Sequence, residues 1–239
     1  MESITAQIVN STAVARISRI VVEREPILGA LVTSGSWRQT RYVERGGLVA
    51  GPPDRLTVLG PGHAIDLAPD ARFLYLPLAA KGPLVEWVLS IAPDAAPGDV
   101  PEVRHVEPVA DPILVPVTPP KHAGLHPSWA LPWLGLPTDV GTWASALDVR
   151  GTSLAQRLSR LVGESPKRIL AGARSTIAFE LAAHYRGEGS ALAIDTGYAS
   201  QSHLSRDLRD RFGIPATKLF AEGPVRELEW LRLVRSVVR

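Results

Sequence analysis

Along the first ninety or so residues, apolar and polar positions alternate in short runs broken by turn-forming residues. Ile27–Val32, Leu56–Leu59 and Arg72–Leu78 are such runs, and between them stand Gly46-Gly47, Gly51-Pro52-Pro53, Gly60-Pro61-Gly62 and Ala68-Pro69-Asp70. Short strands punctuated at this spacing predict a small all-β barrel or sandwich. From about residue 138 to 220 the period changes. Apolar residues recur every three or four positions, as in Ile169, Ala173, Ile177 and Leu181, and again in Leu204, Leu208 and Phe212. That spacing predicts helices with one buried face. A last helix is expected from Pro224 to Arg239, where Val225, Leu228, Leu231, Val234 and Val238 share a face.

Proline marks the seam between the two patterns. Eleven prolines fall between Pro93 and Pro137. Each fixes φ and removes a backbone donor, so neither regular helix nor central strand is expected there, although Ile113 to Val117 can form an edge strand. The expected organisation is a β-rich domain over 1–118, a linker over 119–137, an all-α domain over 138–222 and an amphipathic C-terminal helix over 223–239. The fold class is thus α+β with two domains.

The helical half repeats itself with a period near fifty. TWASALDVRGTSLAQRLSRLVGESPKR at 142–168 aligns with SALAIDTGYASQSHLSRDLRDRFGIPATK at 190–218. Leu154, Leu158 and Gly163 then match Leu204, Leu208 and Gly213. Each copy predicts a short helix with an inward-facing small residue (Ala144 or Ala193), a tight turn, and a second helix ending at glycine. Gly197 suits a turn position with positive φ. Thr152 and Ser153 are the expected caps of the second helix in the first copy, and Ser200 in the second. On the exposed side of that helix the second copy carries Gln201, Ser202, Ser205, Arg206 and Arg209. The first copy carries Thr152, Ala155, Gln156, Ser159 and Arg160. Amides, hydroxyls and guanidinium groups on one stripe are the groups that contact base edges and phosphates when a helix lies in the major groove.

The string GYASQSHLSRDLRDRFGIPA at 197–216 resembles the second helix-turn-helix of the AraC/XylS transcription regulators. Gly197-Tyr198, Gln201-Ser202-His203, Leu204, Arg206, Phe212-Gly213 and Pro215 carry the likeness. Arg174, Ala178, Leu181 and Ala182 match the long helix that joins the two units in that family. The resemblance spans 138–220, about a third of the chain. Arg150 stands where the family has a serine, and Pro215 is one place nearer its glycine.

The resemblance implies an all-α double helix-turn-helix domain that binds double-stranded DNA, with an N-terminal cupin-like barrel for sensing or dimerisation. Gln201 and Arg206 are then the expected base contacts. Arg209, Arg160 and Lys218 are expected on phosphates, with Ser202, Ser205, Thr152 and Gln156 completing the DNA-binding set. The further partners it implies are a small-molecule effector, RNA polymerase and a second copy of the chain. The alternative is a regulator that acts through protein contacts and keeps only vestigial DNA binding.

Charge supports this division moderately. Residues 1–125 hold 11 Lys/Arg and 13 Asp/Glu, and residues 126–239 hold 15 and 11, so the helical half is the positive one. Cysteine is absent, which removes disulfides, thiolate nucleophiles and cysteine-ligated metals. No phosphate loop, nucleophile elbow or paired-carboxylate motif is present, so no enzyme activity and no cofactor are expected. His63 is the one histidine of residues 1–92, too few for a cupin metal site, and His122 and His126 read as linker residues. For a ligand the candidates are Trp37, Tyr42 and His63, with Trp37 and Tyr42 equally readable as core or dimer contacts. Trp129, Trp133 and Trp143 are expected to anchor the linker. With no apolar run of membrane length and no signal-peptide pattern, the expected location is the cytoplasm, away from membranes.

Overall fold

The alternating half of the chain folds into two antiparallel sheets facing each other. The computed structural model describes residues 4–23, 29–78, 80, 82–96, 113–116, 135–185, 187–215 and 217–219. One sheet contains β1 (Ile4–Ser11), β2 (Ala15–Val22), β4 (Arg38–Arg45), β7 (Ala64–Leu67) and β9 (Leu84–Ile91), in the order β1-β2-β9-β4-β7. The other contains β3 (Ala30–Thr33), β5 (Gly47–Gly51), β6 (Thr57–Leu59), β8 (Arg72–Leu78) and β10 (Ile113–Leu114), in the order β10-β6-β5-β8-β3. Of the predicted runs, Arg72–Leu78 is β8 as expected. Ile27–Val32 is realised from Ala30, and residues 27 and 28 lie outside the described ones. The edge strand expected at Ile113 is the two-residue β10.

Side chains in a strand point alternately to opposite faces. In β4 the buried residues are Gln39, Arg41 and Val43, which turns Tyr42 to the outer face. β8 is buried along its whole length after Arg72, because both of its faces are covered. Phe73 and Tyr75 point toward the first sheet, where the Arg41 guanidinium lies 5.3 and 5.2 Å from their rings. On the other face, Leu76 and Leu78 meet the helices.

Those helices are α1 (Val140–Ala146), α2 (Gly151–Val162), α3 (Pro166–Leu181), α4 (Gly189–Asp195) and α5 (Gln201–Phe212). Ser165 caps α3 by accepting the amide of Arg168 at 3.3 Å, and Pro166 takes the first helical position. The helical layer rests directly on the second sheet. A Cβ on Gly172 of α3 would stand 3.2 Å from Leu76, and one on Gly29 would stand 2.9 Å from Thr176 Cγ2. The Leu31 amide donates to Glu180 Oε1 at 3.3 Å, and Trp143 Nε1 donates to the Leu114 carbonyl at 2.8 Å. One hydrophobic core therefore runs from Ile20 and Val43 through Leu76 to Ile177 and Leu208. Trp143 is buried as an anchor between α1 and β10. Most of the expected linker, Trp129 and Trp133, and the C-terminal helix of 223–239 lie outside the described residues.

Candidate functional site

The repeat in the sequence becomes a repeat in space. α1 and α4 each have seven residues, and α2 and α5 each have twelve. The turn between them covers four residues in the first pair and five in the second. Both turns close by the same pair of hydrogen bonds. Val149 N donates to Ala144 O at 3.0 Å and Asp148 N to Ser145 O at 3.1 Å. In the second copy Tyr198 N donates to Ala193 O at 2.8 Å and Gly197 N to Ile194 O at 3.0 Å. This is a Schellman closure with its central residue in the left-handed region. Gly197 adopts it at φ 78° and Asp148 at φ 53°. Both longer helices stop at a left-handed glycine, Gly163 at φ 77° and Gly213 at φ 65°.

Leu154, Leu158 and Val162 of α2 and Leu204, Leu208 and Phe212 of α5 are buried. That leaves Gln201, Ser202, Arg206 and Arg209 exposed on α5, with Ser205 half-buried at the margin. On α2, Thr152, Gln156, Ser159 and Arg160 are exposed and Ala155 is half-buried. Lys218 is exposed beyond α5. The Gln201 carbonyl oxygen accepts from Ser190 Oγ at 3.0 Å, which steadies the amide at the start of α5.

The expected caps hold for one copy and not for the other. Ser200 accepts the amide of His203 at 3.2 Å. In the first copy the cap position is Arg150, with no side-chain bond to the helix. Thr152 and Ser153 sit inside the first turn, past the place from which a hydroxyl can cap it.

Two networks hold α5 and α3 in place. The Tyr198 hydroxyl donates to Asp207 Oδ2 at 2.6 Å, and Arg211 Nε donates to Asp207 Oδ1 at 3.0 Å. Burial first, and then the Asp207 charge, pushes the Tyr198 phenol far up, so it stays a neutral donor. Arg174 on α3 bonds the carbonyls of Pro137 and Thr138 and lies beside Gly197. It thus ties the entry of the first helix pair to the turn of the second. Burial lowers its pKa without removing its charge.

The β domain holds a second constellation that the sequence reading missed. Arg41 and Glu86 are both 0% exposed, and Arg41 Nη1 donates to Glu86 Oε1 at 2.9 Å. The Tyr75 hydroxyl donates to the same oxygen at 2.7 Å, and Gln39 Oε1 accepts from Arg41 Nη2 at 3.4 Å. Among the described residues Arg41 Nε and Glu86 Oε2 have no hydrogen-bond partner. The interior between the sheets therefore holds a buried ion pair among its apolar residues. A period-two reading could have found this pair, since Arg41 shares a face with Val43, and Glu86 with Leu84 and Val88.

The expected ligand residues do not converge there. Tyr42 points away from that interior, because its neighbours Arg41 and Val43 take the inner face. Trp37 is half-buried in the loop before β4. His63 is buried, and its Nδ1 accepts the amide of Gly60 at 3.1 Å, closing the turn between β6 and β7. Among the described residues no group of three or more His, Asp or Glu side chains is placed to hold a metal ion, and no helix is long and apolar enough to cross a membrane.

No family model matches the chain, and no curated protein matches it. Solved structures do show similarity to its N-terminal part. The Cupin_2 domain of an XRE family transcriptional regulator from Enterobacter cloacae is 14% identical, with a TM-score of 0.32, over 38% of this chain and 97% of that one. An RmlC-like cupin family protein with a double-stranded β-helix fold from Methanocaldococcus jannaschii is 12% identical, with a TM-score of 0.33, over 38% of this chain and 83% of that one. KdgF from a Halomonas species is 21% identical, with a TM-score of 0.33, over 38% of this chain and 81% of that one.

Proposed function

We propose that the chain is a sequence-specific, double-stranded-DNA-binding transcription regulator of the AraC/XylS kind, with no catalytic activity. Its α1–α2 and α4–α5 pairs are two helix-turn-helix units, and α2 and α5 are their recognition helices. Its β domain is a cupin-like module that carries them. The observation that supports this best is the agreement between the two pairs. Helices of equal length follow equivalent Schellman turns and present polar, hydrogen-bonding side chains opposite a buried leucine stripe. A helical bundle without a partner has no need to repeat that exposed stripe. Two recognition helices on one face of a duplex would enter successive major grooves about 34 Å apart.

Gln201 and Arg206 would read base edges. Arg209, Arg160 and Lys218 would position the protein on phosphates, which carry no sequence information. The test is selection from a randomised duplex pool with the full chain, followed by titration of the recovered sequence. An enriched motif with two conserved blocks about one helical turn apart is expected. For three phosphate contacts, affinity should fall roughly 40-fold between about 50 and 200 mM salt. A pool that stays random after repeated rounds would remove the proposal.

A further inference from the structure

α2 and α5 are copies of one helix, yet their C-terminal ends are seated on different partners. In α5 the last residue, Phe212, stacks on Phe179 of α3 with ring centroids 4.4 Å apart. Arg211 before it is held by Asp207. The equivalent residues of α2 are Leu161 and Val162, and both press on the β domain. A Cβ on Gly47 would stand 2.6 Å from Val162 Cγ1 and 2.7 Å from Val162 Cβ. One on Gly60 would stand 2.7 Å from Leu161 Cγ. Neither glycine has a positive φ, so close approach of the helix explains them, not backbone conformation.

The N-terminal ends differ in the complementary sense. α5 has its Ser200 cap and a glycine in the left-handed turn position. α2 begins after an uncapping Arg150, and Asp148 holds the left-handed position at some cost. The local determinants of α2 are thus weaker than those of α5, and the second sheet supplies what they lack.

On the DNA-binding reading given above, we propose that the β domain is part of the DNA-reading machinery. Gly47 and Gly60 are positioning residues that set how α2 meets its groove, whereas the end of α5 is seated on Phe179 of α3. The strand paired with β5, β8, carries Tyr75 of the Arg41–Glu86 cluster on its other face. A change inside the β domain therefore has a route to α2 through β8 and β5.

The experiment compares the full wild-type chain with Gly47→Ala, Gly60→Ala and the pair Gly60→Ala/Leu161→Ala. Amide exchange is read in residues 151–162 and 201–212. Hydroxyl-radical protection is read on a duplex that the wild type selects. Gly47→Ala and Gly60→Ala should speed exchange in α2 roughly tenfold or more, leave α5 at its wild-type rate, and remove protection in one of the two grooves. Leu161→Ala takes away the side-chain atoms that Gly60→Ala meets, leaving only the Leu161 carbonyl oxygen at 3.2 Å, and should restore most of both readouts. The unchanged α5 rate shows that the variants fold. Wild-type exchange in α2 of both glycine variants, an equal rise in both helices, or a failure of Leu161→Ala to rescue would overturn the proposal. Should the wild type protect no duplex, the DNA-binding reading falls and the reading role of the glycines falls with it. The exchange rates then still decide whether the second sheet holds α2.

Discussion

Arg41 of β4 and Glu86 of β9, neighbouring strands of one sheet, form an ion pair at 2.9 Å on the face turned to the other sheet, with both side chains 0% exposed. Bringing two charges out of water costs several kcal/mol per ion, and their attraction offsets this only when the remaining donors and acceptors are satisfied. Arg41 Nε and Glu86 Oε2 are not satisfied among the described residues. Arg41→Met or Glu86→Leu alone should therefore destabilise the chain by about 3–5 kcal/mol, since each strands the other charge. The double variant should recover most of that loss, short of wild type by about 1–3 kcal/mol for the Tyr75 hydroxyl left without its acceptor. Denaturant unfolding of the full chain measures this, and a double variant no better than the worse single one would refute it.

α2 and α5 offer a matched pair of capping substitutions. Ser200→Ala should cost about 1 kcal/mol, because the His203 amide loses its acceptor. Arg150→Ser should stabilise by about 0.5–1 kcal/mol, because the backbone there is already extended at φ −73° and ψ 144° and lacks only the oxygen. Melting temperatures that move the same way for both variants would contradict the assignment.

His63 gives the β domain a dependence on pH. Burial lowers its pKa from the ordinary value of 6.5, and neutral Nδ1 accepts the Gly60 amide. The unfolded chain therefore takes up a proton at higher pH than the folded one. Its contribution is complete above about pH 6.5 and is lost as the pH falls through the folded pKa. Melting temperature should drop between pH 7.5 and pH 5, and His63→Phe should flatten that part of the profile while lowering the neutral-pH value. An unchanged slope in the variant would assign the acid sensitivity to other groups.

Much of the helical layer was legible because its signals are local and repeated. Leucines four apart, terminal glycines and Ser200 at a cap mark α2 and α5, and the fifty-residue offset aligns their ends. β8 was legible as an apolar run between turn residues. Arg41 and Glu86 were not, because a charged residue in a strand is read as solvent-facing unless its register is followed. Nor was the seat of α2: Gly47 and Gly60 look like turn punctuation in the sequence, and only the approach of Leu161 and Val162 explains them. The cap at Thr152 and Ser153 failed because α2 starts at Gly151, two residues earlier than a Thr152 cap requires and three earlier than a Ser153 cap requires.

Arg206 and Arg209 lie three residues apart on the exposed side of α5, and the proposed function gives them different duties. Arg206→Ala should cost about 1–3 kcal/mol on the selected duplex and little on random DNA. Arg209→Ala should weaken both about equally and lower the salt slope by about one. Titrations on the two duplexes at several salt concentrations separate the roles, and equal losses for Arg206→Ala would end its assignment to a base.

The most direct measurement of the central proposal is immunoprecipitation of the chain from cells with sequencing of the attached DNA, for wild type and Arg206→Ala side by side. The proposed function predicts discrete sites that share a motif spanning about two major-groove turns and vanish in the variant. No enrichment, or sites that the substitution leaves unchanged, would contradict it.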